Sequence, residues 1–146
     1  MYRKAIIIFA ILGGGFLFYS YSHAKQLRPK LWAAISVSDP LFQEGGTKDL
    51  MIHFTLVNDG NAVVDPRIES SKISVNGEEL ENSGFIFGNG IRSSNWNALA
   101  PGDALRFTYG LEQYFLKPGI YKVSWKGEDF ETSTIVFRVM PSKNNR

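Results

Sequence analysis

Residues 99–139, LAPGDALRFTYGLEQYFLKPGIYKVSWKGEDFETSTIVFRV, constrain the fold more than any other stretch of this chain. Apolar residues alternate with polar ones along Leu105, Phe107, Tyr109 and Leu111, again along Tyr121, Val123 and Trp125, and again along Ile135, Phe137 and Val139. A period of two is the mark of strands buried on one face. Pro101-Gly102 and Pro118-Gly119 punctuate the runs, and Lys126-Gly127-Glu128-Asp129 closes a last hairpin. The chain is therefore expected to fold as an all-β domain.

Upstream the same pattern continues. LWAAISVSD sets Leu31, Ala33, Ile35 and Val37 on one face and Trp32 on the other, and Pro40 ends the run. After a loop at Gly45-Gly46, LMIHFTLVN turns Leu50, Ile52, Phe54 and Leu56 inward and Met51, His53, Thr55 and Val57 outward. Asn58-Asp59-Gly60-Asn61 is a tight-turn signal, since Asn and Gly accept positive φ. A short strand is expected around Ile68 and another over residues 72–75, the second closed by the hairpin signal Asn76-Gly77. Residues 82–98, NSGFIFGNGIRSSNWNA, read as a long loop with a broken strand. Seven or eight strands so spaced predict an antiparallel β-sandwich over residues 31–140, with a basic stem at 25–30 before it and a polar tail at 141–146 after it.

Residues 1–24 stand apart from this pattern. Arg3 and Lys4 precede an uncharged run from Ala5 to Tyr21, and Ser22-His23-Ala24 offers small residues where signal peptidase reads. The segment is read as a signal peptide, which places the domain outside the cytoplasm, in the periplasm or cell envelope. An uncleaved anchor in the inner membrane is the alternative: Phe16, Phe18, Tyr19 and Tyr21 suit an interfacial belt, and Lys25, Arg28 and Lys30 suit a headgroup-facing stem. Removing 24 residues leaves 122 of the 146, the size of one domain.

Charge and composition exclude several functions. Between Leu31 and Met140 nine Lys and Arg face fourteen Asp and Glu, the opposite of the basic stripe that nucleic-acid binding needs. The chain has no cysteine, so neither disulfides nor thiolate chemistry nor Cys-type metal sites are available. His53 is the one histidine beyond the leader, and no G-x-S-x-G turn accompanies it. Glu78, Glu79 and Glu81, like Glu128, Asp129 and Glu131, flank hairpin turns, where solvated charge is expected, and neither set resembles an EF-hand loop. No enzyme activity, metal or cofactor is expected.

Leu116-Lys117-Pro118-Gly119-Ile120-Tyr121-Lys122-Val123 resembles the L-x-P-G-x-x-Y-x-V corner of fibronectin type III and other immunoglobulin-like domains, with one residue fewer before the tyrosine. The resemblance implies an immunoglobulin-like sandwich with Tyr121 as the corner tyrosine, its hydroxyl holding a backbone group where the chain crosses between sheets. The wider stretch from Trp96 to Tyr121 is similar to the C-terminal half of a bacterial immunoglobulin-like family that includes the Bacillus intracellular proteinase inhibitor. An export leader departs from that intracellular relative.

Binding surfaces on sandwiches usually sit in loops, which makes residues 82–98 the sequence's candidate site. Phe85, Phe87, Arg92 and Trp96 are the residue types that dominate interfaces when exposed. The competing reading puts Phe85 and Phe87 on a strand facing the core and Trp96 in the sandwich end. The expected role is that of a non-enzymatic binding or structural module of the bacterial envelope with a protein partner. Two alternatives accompany it: a proteinase inhibitor acting through the 82–98 loop, and an accessory subunit tethered to a membrane complex by the uncleaved leader, which would be the chain's one contact with a membrane.

Overall fold

The structure is a computed structural model that describes residues 30–88, 92–115 and 117–142. The leader, most of the stem and residues 143–146 lie outside the described residues.

Eight strands form two sheets. Strands β1 (Leu31–Val37), β3 (Met51–Asn58) and β6 (Ala104–Gly110) make a three-stranded antiparallel sheet in the order β1-β3-β6. The second sheet runs β2-β8-β7-β4-β5, from β2 (Leu41–Gln43) through β8 (Ile135–Met140), β7 (Gly119–Lys126) and β4 (Lys72–Val75) to β5 (Glu78–Glu79). This strand order is immunoglobulin-like: the chain alternates between two facing sheets, and its last two long strands pair beside the middle one. One pairing departs from the all-antiparallel expectation, because β2 runs parallel to β8. Pro40 explains the switch. Lacking an N–H, it cannot extend the β1–β3 ladder, and its carbonyl instead accepts from Arg138 N at 3.0 Å as the chain crosses to the other sheet.

The inward faces match the alternation read from the sequence. Leu50, Ile52, Phe54 and Leu56 are buried, as are Val123, Trp125, Phe137 and Val139. Without a disulfide, the sheets are joined by aromatic rings: Phe54 of β3 meets Trp125 of β7 edge to face, with centroids 5.2 Å apart. Trp125 is also held by its polar atoms, since Nε1 donates to Ser71 Oγ at 2.8 Å and its backbone N to Thr132 Oγ1 at 2.9 Å.

Asn58-Asp59-Gly60-Asn61 turns the chain as expected, toward the second sheet, without the positive φ that a tight turn uses. Buried Asn58 donates through Nδ2 to the carbonyls of Ala62 and Leu99 and accepts Gly60 N on Oδ1, so its amide ties three segments together. Ile68 lies in a 3₁₀ turn, Ile68–Ser70, rather than in a strand. A buried residue in a short crossover satisfies the core without any neighbour to pair with.

The corner tyrosine is confirmed. Tyr121, at the start of β7, donates its hydroxyl to the Lys117 carbonyl at 2.7 Å, and its ring packs against Phe115 and Phe137. Tyr121→Phe is expected to keep the ring contacts and lose about 0.5–1.5 kcal/mol of stability, measured as a lowered urea midpoint at unchanged m-value.

Candidate functional site

Residues 82–98 fold back onto the sandwich. Ser83–Gly88 form a short helix, α1, and Ser94–Trp96 a 3₁₀ turn. Together they cover the opening between β6, at the edge of the first sheet, and β4 of the second. Ser83 anchors the segment: its buried Oγ accepts from Ile73 N at 3.1 Å and donates to the Leu80 carbonyl at 2.8 Å. Ser83 and Phe87 are four apart on α1 and so share its inward face.

This placement corrects the sequence reading at two of its four positions. Phe87 is fully buried, with centroids 5.4 Å from Phe54, 5.8 Å from Phe107 and 5.7 Å from Tyr109. Trp96 is 4% exposed, its ring tilted against Phe107 with centroids 5.1 Å apart, and its Nε1 donates to Glu69 Oε1 at 2.8 Å. Neither is an exposed anchor; both fill space that a further edge strand would otherwise occupy. A helix replaces the expected broken strand and sets Ser83 and Phe87 about one turn apart on its inward face, where a strand would hold them about 13 Å apart. Arg92 is at the surface, paired with Glu69 at 2.6 Å and lying over the Trp96 ring at 5.5 Å. The Phe85 side chain lies outside what the structure describes.

Around this plug a small polar group forms at the sandwich rim. Partial burial pushes the Tyr109 phenol above its ordinary pKa, with the Glu69 carboxylate adding to the effect and the Arg92 guanidinium opposing it. On the opposite strand face His53 Nδ1 shares a 2.8 Å hydrogen bond with Thr108 Oγ1, its cross-strand partner. Among the described residues no cluster of three or more His, Cys, Asp or Glu is placed to hold a metal ion. Nor is any helix among them long and apolar enough to cross a membrane. Glu128 pairs with Arg67, and Glu131 with Lys126 at 3.7 Å.

The exposed large apolar side chains lie elsewhere, most of them on the outer faces of the two sheets. Trp32 is 56% exposed on β1, in one row with Val57 and Ala104. On the outward positions of that sheet Arg106 is the one charged residue among Trp32, Ala34, Ser36, Met51, His53, Thr55, Val57, Ala104, Arg106 and Thr108. The other sheet exposes Leu41, Ile120 and Val136, each more than half accessible, among lysines and an arginine. Sequence alternation marked Trp32 as outward, but only register shows which outward residues become neighbours.

No family model and no curated protein matches the chain. Two solved structures of the CARDB domain of a Pyrococcus furiosus protein are similar in shape. The one solved by solution NMR has a TM-score of 0.49 at 16% identity, covering 79% of this chain and 98% of that one. The other, a crystal structure in complex with di-metal ions, has a TM-score of 0.48 at 14% identity, covering 78% and 96%. The metal ions belong to that domain, and the architecture described above stands on its own strand order.

Two expectations follow from the plug. Phe87→Ala should cost about 3–5 kcal/mol, the range for emptying an aromatic core position, whereas Trp32→Ala should stay within about 0.5 kcal/mol, both read from urea unfolding. Because the folded pKa of Tyr109 is raised, the stability it contributes is complete below the unfolded phenol's pKa of about 10 and is lost as pH rises through the higher folded value. Ultraviolet titration should find a phenol ionising above the ordinary tyrosine value, and Tyr109→Phe should remove that step.

Proposed function

We propose that this chain is an exported, non-enzymatic binding module of the bacterial cell envelope, and that its sheet faces rather than residues 82–98 meet the partner. The observation that carries this reading is the exposure of Trp32, Leu41, Ile120 and Val136 on sheets whose inner faces already close a complete core. Large apolar groups on rigid strands are positioned to bind without further ordering, which is the economical arrangement for an adhesive or scaffolding domain. Export is supported by the sequence of residues 1–24.

The proteinase-inhibitor reading requires an extended, exposed loop around Phe85 to Trp96. Helical geometry over Ser83–Gly88 and the burial of Phe87 and Trp96 argue against it. Whether the leader is cleaved decides between a free module and one tethered to a membrane complex.

Protease added to intact spheroplasts of a bacterial host expressing the full chain should digest the sandwich, and lysis should add nothing to the digestion. Protection until lysis would place the domain inside the cell and overturn the reading. The intact mass of the same protein separates the two forms: a start at Lys25 identifies the free module, and retention of residues 1–24 the tethered one.

A further inference from the structure

The outer face of the β2-β8-β7-β4-β5 sheet gathers positive charge on an otherwise acidic domain. Of the nine Lys and Arg between residues 31 and 140, Lys72 on β4, Lys122 and Lys126 on β7 and Arg138 on β8 all point outward from this sheet and are exposed. Register brings them together. Lys72 lies directly opposite Lys126, and Arg138, opposite Ile120, is the diagonal neighbour of Lys122, opposite Val136. Like charges placed directly across a strand pair repel, so the arrangement favours an external anion. Among the described residues, Lys126 is paired with Glu131, while no carboxylate pairs with Lys72, Lys122 or Arg138. Glu79, across β4 from the centre of the face, is opposite Ser74.

Aliphatic side chains interleave with these cations. Arg138 stands between Leu41 and Ile120 across β2, β8 and β7, and Val136 sits opposite Lys122. Leu41 is 53%, Ile120 59% and Val136 53% exposed. The outward positions of these strands hold no aromatic residue. Interface cores between proteins favour aromatics and Arg and are depleted in Lys. Lysines beside exposed aliphatics instead match a bilayer surface, where phosphates meet the cations and aliphatic side chains enter the boundary between headgroups and acyl chains. An uncleaved leader would also hold the face near a bilayer, since the apolar run ends at Tyr21 and the nine residues 22–30 span at most about 30 Å before β1 begins.

We infer that this face docks on an anionic phospholipid surface, with Lys72, Lys122, Lys126 and Arg138 on headgroup phosphates and Leu41, Ile120 and Val136 in the interfacial layer. The inference rests on the envelope reading above and names the partner of one face. It goes beyond the sequence expectation that a membrane is met through the leader alone.

The absence of native cysteine allows a single thiol to be placed at will. The full chain carrying Ile120→Cys, labelled with an environment-sensitive fluorophore, is reconstituted in nanodiscs of phosphatidylglycerol or of phosphatidylcholine. In phosphatidylglycerol alone the emission should shift to the blue and iodide quenching should fall several-fold. Both changes should reverse near about 1 M salt, where the screening length is about 3 Å. They should vanish in Lys122→Glu, Arg138→Glu and weaken in Lys122→Gln, Arg138→Gln, each checked for an unchanged thermal midpoint. A label at Thr108→Cys, on the other sheet, should stay in water in both lipids. An unchanged probe at position 120 in phosphatidylglycerol overturns the inference and leaves an acidic polypeptide as the partner to seek; an equal change in phosphatidylcholine, or burial of the probe at position 108 instead, overturns it too. The discs report on the face and not on cellular location, so the inference can fail while the spheroplast result stands, and the reverse.

Discussion

The contact between Phe54 and Trp125 holds the two sheets together. With no cysteine available, a sandwich of this size must join its layers by burial alone, and these rings cross the interior from the middle strand of one sheet to a central strand of the other. Phe87, Phe107 and Tyr109 pack around Phe54, while Phe130 packs at a tilt against Trp125 with centroids 4.4 Å apart. Edge-to-face geometry adds specificity to area, because each ring fixes the angle of the next. The polar anchors of Trp125 on Ser71 and Thr132 extend that order into the loops at one end of the sandwich.

The aromatic cluster also explains why the irregular segment before β6 is structural. A three-stranded sheet facing a five-stranded one leaves one side of the core open beside β6. Phe87 and Trp96 close it, and Glu69 and Arg92 seal the rim over the Trp96 ring. A segment rich in Gly, Asn and Ser with scattered aromatics has the composition of a binding loop and equally that of a plug. Composition is the same in both cases; the difference is whether an unfilled gap lies beneath it.

The proposed contact surface accordingly lies on the sheets and not in that segment. The outward faces differ from each other: one is nearly uncharged with Trp32 at its end, the other combines aliphatics with cations, of which Lys126 pairs with Glu131. A domain with fourteen acidic and nine basic side chains between residues 31 and 140 shows no basic character in its composition. The positive face exists because strand pairing sorts the charges, placing Lys72 against Lys126 from positions far apart in the chain.

By itself the sequence determined the long strands, their buried faces, the hairpin at Asn76-Gly77 and the corner tyrosine. Each depends on residues within a few positions of one another, through the two-residue pleat or the positive φ at Asn76 and Gly77. Tertiary structure alone decided the parallel pairing of β2, the helix at Ser83–Gly88, the burial of Phe87 and Trp96, and the neighbours of each exposed side chain. Those outcomes depend on which strands lie side by side and where the core remains open. Such long-range relations leave no local period for a reader of the sequence to find.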